Sequence, residues 1–210
     1  MSATLILASS SPRRRELLRR LGVDFEVASA DVDESARPGE LPEIMAQRLA
    51  REKALAVASC SGQQPVLGAD TIVVLDGQVL GKPTDPAEAT AMLLALRGRT
   101  HEVLSAVYGW NPLTGRESCL LNRSMVTMRD YSDSEIAAYV ASGDPMDKAG
   151  AYAIQNQAFA PVAGIDGCFS GVMGFPLGDV AQVLRQIGVD VPGDVAATCE
   201  INGARCCQVD

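Results

Sequence analysis

A single histidine, His101, is all that this chain of 210 residues offers to join its six cysteines at a metal. Cys60, Cys119, Cys168, Cys199, Cys206 and Cys207 are scattered, with no C-x-x-C pair among them, which argues against a zinc site and requires no disulfide framework. Neither G-x-x-x-x-G-K-[ST] nor G-x-G-x-x-G occurs, so a P-loop kinase and a Rossmann dehydrogenase are both unsupported. Runs of eighteen or more apolar residues are missing, as is a cationic leader followed by an apolar core at the start. The expected compartment is therefore the cytoplasm, with no membrane partner. Positive charge is also short: 18 Lys and Arg stand against 26 Asp and Glu, a net charge of −8. Such an acidic chain is ill suited to a nucleic-acid backbone, although one small anion in a local basic pocket stays compatible. Internal repeats and low-complexity segments are absent as well.

What is present begins at the start of the chain. The apolar run Leu5-Ile6-Leu7-Ala8 stops at Ser9-Ser10-Ser11-Pro12-Arg13-Arg14-Arg15 and continues as the amphipathic segment Glu16 to Leu21. This reads as a strand feeding a helix, with Ser11 as N-cap, Pro12 as first helical residue and Gly22 as the left-handed stop. Hydroxyls, free backbone N–H groups, the positive end of a helix dipole and guanidinium groups converge there, a combination that suits phosphate oxygens. The alternative is a solvated basic face on an ordinary first helix.

Further along, Phe25 to Val27 reads as a strand, and Ala30 to Leu41 as an acidic loop carrying Asp31, Asp33 and Glu34. Pro42 to Ser59 has helical spacing and should be the longest helix. Ala69 to Leu75, Asp76-Gly77 and Gln78 to Leu80 form a type I′ hairpin pattern. Asp85-Pro86-Ala87-Glu88 opens a helix that ends before Gly98. Strands are expected around Glu102 to Tyr108 and Glu117 to Met128, and helices from Ser132 to near Gly143 and from Pro176 to Ile187. The alternation predicts a mixed α/β fold. Its body should run from Ala3 to Gly188, possessing a cleft between two lobes, followed by a tail without clear periodicity.

Three clusters could carry chemistry. Asp70 lies inside sheet sequence, where an unpaired carboxylate is costly, so it needs a cation, a metal or a mouth open to water. A site acid that binds a divalent ion or activates water meets that need; a structural pair with Thr71 or a nearby lysine is the alternative. Gly81-Lys82-Pro83 follows the hairpin, whose antiparallel return brings Lys82 back toward Asp70 on a stiffened loop. In the segment Asp147 to Gln155, small residues allow close backbone approach and the Gln155 amide suits a nucleobase edge, whereas Asp147 and Lys148 could equally form a surface pair. His101, alone beside a β segment, reads as structural.

These segments together resemble the Maf-like nucleoside triphosphate pyrophosphatases. The likeness is carried, in order, by Ala8 to Arg14, Arg51-Glu52-Lys53-Ala54, Gly68-Ala69-Asp70-Thr71, Gly81-Lys82-Pro83, Asp147 to Tyr152 with Gln155, and Gly174-Phe175-Pro176-Leu177. It implies an elongated mixed β-sheet flanked by helices, related to inosine triphosphatases, occupying residues 1–189, with 190–210 as a tail of unknown role. It implies hydrolysis of dTTP and UTP to the monophosphate and pyrophosphate with Mg2+ or Mn2+. Asp70 would be the catalytic residue and a metal ligand together with Glu34, whereas Ser9, Arg13, Arg14, Lys53 and Lys82 would hold the phosphates. Arg13, Thr71 and Gln155 match positions linked to base choice, and a homodimer is compatible with the family. The chain departs from the pattern at Ala153 and Asn156, where glycines commonly flank Ile-Gln, and at Phe175, where leucine is usual. A non-enzymatic nucleotide-binding regulator of cell division is the rival reading.

Overall fold

The computed structural model describes residues 5–29 and 31–199; Ala3, Cys206, Cys207 and the rest of the tail beyond 199 lie outside them. The elements are β1 (Leu5–Ala8), α1 (Pro12–Arg20), β2 (Phe25–Ala28), α2 (Pro42–Ala58), β3 (Val66–Leu75), β4 (Gln78–Leu80), α3 (Pro86–Leu96), β5 (Thr100–Asn111), β6 (Arg116–Met128) and α4 (Asp133–Ala141). Two 3₁₀ turns, Asp144–Asp147 and Ala149–Ala151, then lead to β7 (Val162–Asp166), α5 (Phe169–Val172), α6 (Leu177–Gln186) and α7 (Val195–Cys199).

Local chemistry sets most of these boundaries. The Arg14 N–H donates to Ser11 Oγ at the start of α1, the Glu88 N–H donates to Asp85 Oδ1 at 2.8 Å at the start of α3, and Ser132 and Glu135 form a reciprocal capping box on α4. Asp76 and Gly77, with φ of 50° and 76°, supply the two left-handed residues that a type I′ hairpin requires. β7 and the short helices α5 and α7 carried no readable signal: β7 is an edge strand with two of its five residues half-buried and no clean alternation.

The seven strands form one mixed sheet in the order β2-β1-β3-β5-β6-β7, with β4 attached to β3. β1 is parallel to β2 and β3, and the remaining pairs are antiparallel. Alternation along β1 and β3 divides the core. Leu5, Leu7, Leu67 and Ala69 pack with α1 and α6, while Ile6, Ala8, Val66 and Ile72 pack with α2 on the opposite face. Val73 and Leu75, farther along β3, join a third cluster with α3, α4 and Phe159. β3 therefore contributes to all three clusters. Core packing continues past residue 189, because Val191, Val195 and Cys199 pack into the α1–α6 cluster and the Gly193 N–H donates to Leu21 O at 3.0 Å.

His101 is buried at 2% exposure; its Nε2 shares a 2.8 Å hydrogen bond with Tyr152 Oη, and its Nδ1 has no partner among the described residues. Burial pushes its pKa from 6.5 to about 4. Between those values the unfolded chain binds a proton that the folded chain refuses, so stability is present above pH 6.5 and is lost as pH falls through this window. The shift corresponds to roughly 3 kcal/mol. Urea denaturation at pH 7 and pH 4 should show a smaller acid-induced loss in His101→Gln than in the wild-type chain; equal losses would refute this account.

Candidate active site

β3 is paired along only part of one edge. It meets β1 through Val66 and Leu67 and β4 through Val73 to Leu75, leaving Gly68 to Ile72 without a strand on that side. Along its other edge β5 accompanies it without a break from Val66 to Val74. A cleft of about 420 Å³ opens at this gap, where neighbouring chain segments diverge as they do at the ligand crevices of open α/β sheets. Arg14 reaches in from α1 and replaces part of the missing strand. Its Nη1 donates to Ala69 O at 2.7 Å and Ser9 Oγ at 3.3 Å, its Nε to Gly174 O at 2.9 Å, and its Nη2 to Thr71 Oγ1 at 3.2 Å. The carbonyl uncovered by the gap thereby keeps a hydrogen bond.

Because successive strand residues alternate, Asp70 and Thr71 serve opposite faces. Thr71 looks toward Arg14 and Ser105, whose hydroxyl lies 3.0 Å away. Asp70 looks toward α2, where the Lys53 ammonium donates to its Oδ1 at 2.6 Å. The buried carboxylate thus has both of the features its position demanded, a cation and an opening to the cleft. Burial raises its pKa above the usual carboxylate value, and the charges of Lys53 and Arg14 counter only part of that.

Glu34 shares the same ammonium, at 2.5 Å, and lies 3.6 Å from Lys82 Nζ. Of Asp31, Asp33 and Glu34, only Glu34 lines the cleft; Asp31 is exposed and the Asp33 carboxylate accepts the Ser35 N–H at 2.9 Å. The loop is tied down by Arg48, which grips the Glu40 carboxylate through two bonds of 2.6 and 2.8 Å, pairs with Glu52 at 3.0 Å and donates to Ser35 O at 3.0 Å. In sequence Arg48 is indistinguishable from its helical neighbours, because its partners are fixed only when the loop folds back.

The remaining residues arrive from the 147–155 segment and from α1. Lys148 is buried, not on the surface, and donates to Asp147 at 2.5 Å and Asp144 Oδ1 at 3.0 Å. The Gly150 N–H donates to Gly81 O at 3.0 Å, which joins this segment to the Lys82 loop. Gln155 borders the cleft. Arg13 also borders it, and among the described residues its side chain has no hydrogen-bond or ion-pair partner. The adjacent arginines therefore differ in role. Arg14→Ala should lose about 2 kcal/mol in stability because buried acceptors are stranded, whereas Arg13→Ala should melt within 2 °C of wild type, a shift of under about 1 kcal/mol, and weaken anion binding. Melting curves with and without tripolyphosphate test the contrast, and equal destabilisation by both substitutions would contradict it.

Ser9, Arg13, Arg14, Glu34, Lys53, Asp70, Thr71, Lys82 and Gln155, dispersed along the sequence, all line this one cleft. Five cationic side chains, Arg13, Arg14, Lys53, Lys82 and Lys148, outnumber the carboxylates of Glu34, Asp70 and Asp147 there, in a chain of net charge −8. Fold and site define an open α/β protein with a cationic cleft suited to a polyanionic ligand. The chain belongs to the Maf family: residues 4–187 match the family model described as Maf-like protein. It is 49% identical over 189 residues to a dTTP/UTP pyrophosphatase of Myxococcus xanthus, covering 90% of this chain and 94% of the relative. A dTTP/UTP pyrophosphatase of Moorella thermoacetica is 48% identical over 191 residues, 91% of this chain and 98% of the relative. One from Geobacter sulfurreducens is 47% identical over 187 residues, 88% and 96% respectively. Among the described residues no helix is long and apolar enough to cross a membrane.

Proposed function

We propose that the chain hydrolyses dTTP and UTP to the nucleoside monophosphate and pyrophosphate. The observation that carries this reading is the buried Asp70 carboxylate, opening into a cleft in which cations outnumber acids; the names of the relatives supply the nucleotide class. In this reading Arg13, Lys53 and Lys82 receive the triphosphate, whose charge of about −4 grows at the leaving group during in-line attack. A water oxygen bonds to the α-phosphorus and the bond from that phosphorus to the α–β bridging oxygen breaks. The bridging oxygen leaves with pyrophosphate, and Asp70 takes the proton of the water. Arg14 holds Asp70's strand in place, while Thr71 and Gln155 face the base. Asp70, buried and raised in pKa, is better matched to proton acceptance than an exposed carboxylate would be.

A divalent cation suits these residues. Among the described residues no three His, Cys, Asp or Glu side chains cluster as a protein-only metal cage. Glu34 and Asp70, converging on one ammonium at 2.5 and 2.6 Å, supply the one or two carboxylates with which Mg2+ is commonly held alongside substrate phosphates. Such an ion would neutralise phosphate charge.

The test is product analysis with the purified protein, Mg2+ or Mn2+, and dTTP, UTP, CTP and GTP. Equimolar monophosphate and pyrophosphate from dTTP and UTP, exceeding the yield from GTP, is the expected result. Release of orthophosphate, or nucleotide binding without turnover, would overturn the reading, the latter in favour of a regulatory binder.

A further inference from the structure

Gln155 has no side-chain hydrogen bond to the described part of the protein and is half-buried at the cleft, so its direction is inherited from its backbone. That backbone is held on both sides by one oxygen. Upstream, the Ala153 N–H donates to Tyr139 Oη at 3.1 Å, and the Tyr139 hydroxyl donates to Asp144 Oδ2 at 2.7 Å. Downstream, Asn156 Nδ2 donates to the same Asp144 Oδ2 at 3.0 Å, while its Oδ1 accepts the Phe159 N–H at 2.8 Å. The ring of Phe159 stacks on Tyr139 with centroids 4.2 Å apart and planes 13° apart. Asp144 is fixed in turn by the buried Lys148 ammonium, 3.0 Å from Oδ1.

We propose that Asp144, acting through Tyr139 and Asn156, is a positioning residue that aims the Gln155 amide at the nucleobase. This rests on the reading of the cleft as a pyrimidine triphosphate site and deepens it. Asn156 stands where the resemblance leads one to expect glycine, and its side chain makes a tether that glycine could not. Ala153, two residues before the reader, contributes only backbone groups, its N–H to Tyr139 Oη and its C=O to the Asn156 N–H at 3.0 Å, so the tether spans Ala153 to Asn156 and leaves the Gln155 side chain unencumbered. A charge-assisted acceptor with three donors fixes a loop more tightly than isolated turn bonds do.

Asn156→Ala removes the downstream tether, and Tyr139→Phe removes only a hydroxyl from the upstream one. For each, kcat and KM are measured with UTP and CTP, together with inhibition by tripolyphosphate, which shares the phosphate contacts but lacks a base; melting curves verify folding. The expected result is a KM for UTP raised roughly tenfold, kcat changed less than twofold, a reduced preference for UTP over CTP, and an unchanged inhibition constant for tripolyphosphate. An unmoved KM in both folded variants, or a parallel rise in KM and in the tripolyphosphate constant, would overturn the assignment while leaving the pyrophosphatase reading intact. A wild-type protein inert toward UTP and dTTP would defeat the functional reading itself, and this assignment with it.

Discussion

Asp70→Asn is expected to lower pyrophosphate release from dTTP and UTP roughly 10³-fold, the range ascribed to a positioned general base, without unfolding the protein. The two halves of this expectation come from one fact. Burial raises the Asp70 pKa in the folded state, and Lys53 and Arg14 offset only part of the effect. A carboxyl raised in this way contributes stability that is fully present below the unfolded pKa and is lost as pH rises through the folded value. At pH 7 its ionised form is thus a burden on the fold, and an uncharged amide of nearly the same shape relieves that burden. Lys53 still has Glu34 at 2.5 Å as a partner. The melting temperature at pH 7 should therefore equal or exceed that of the wild type while turnover is almost gone. Full turnover in Asp70→Asn would remove the proposed proton acceptor; a large fall in melting temperature would instead show that the Lys53 pair is chiefly structural.

Gly68→Ala should produce the largest loss of stability from one added methyl group. A Cβ at this position would lie 2.3 Å from the Ala50 carbonyl oxygen, 2.9 Å from Ala54 Cβ and 3.0 Å from Ala54 N. Those atoms belong mostly to the backbone of α2, so no flexible side chain can swing aside. The helix must move away from β3, at a cost of about 3 kcal/mol and a Tm lowered by roughly 6–12 °C for a chain of this size. Lys53 lies on the same turn of α2, between Ala50 and Ala54, so displacement pulls its ammonium from Asp70, and kcat should fall more than tenfold. Thermal melts and steady-state kinetics on the folded variant check both effects. An unchanged Tm would mean that α2 and β3 are not in the close contact described.

The two substitutions concern neighbouring positions of β3 that were unequally legible. Asp70 announced itself as an acid within an apolar run, and its need for a counter-charge follows from desolvation alone. The tight approach at Gly68 left no such trace, since a glycine in a strand has several explanations. Arg13 and Arg14 were likewise equivalent in sequence: only the gap between β1 and β4 along β3 determines that Arg14 is consumed by Ala69 O, Gly174 O and Thr71 while Arg13 is left facing the cleft. Lys148 looked like half of a surface pair because adjacent charges usually are solvated, yet the two 3₁₀ turns fold it inward onto Asp144.

From the sequence alone came the caps, the left-handed turn residues, the alternating strands and the misplaced acid at Asp70, because each depends on interactions within a few positions or on an amino acid costly in its setting, whereas Lys53 and Glu34 were assigned to the site only by the family resemblance. Tertiary structure decided what those residues do to one another. Which arginine is free, which loop acid reaches Lys53, how closely α2 lies on β3 and what steadies Gln155 all depend on groups far apart in the chain. Their energies are set by burial and distance, and both exist only once the strands have assembled.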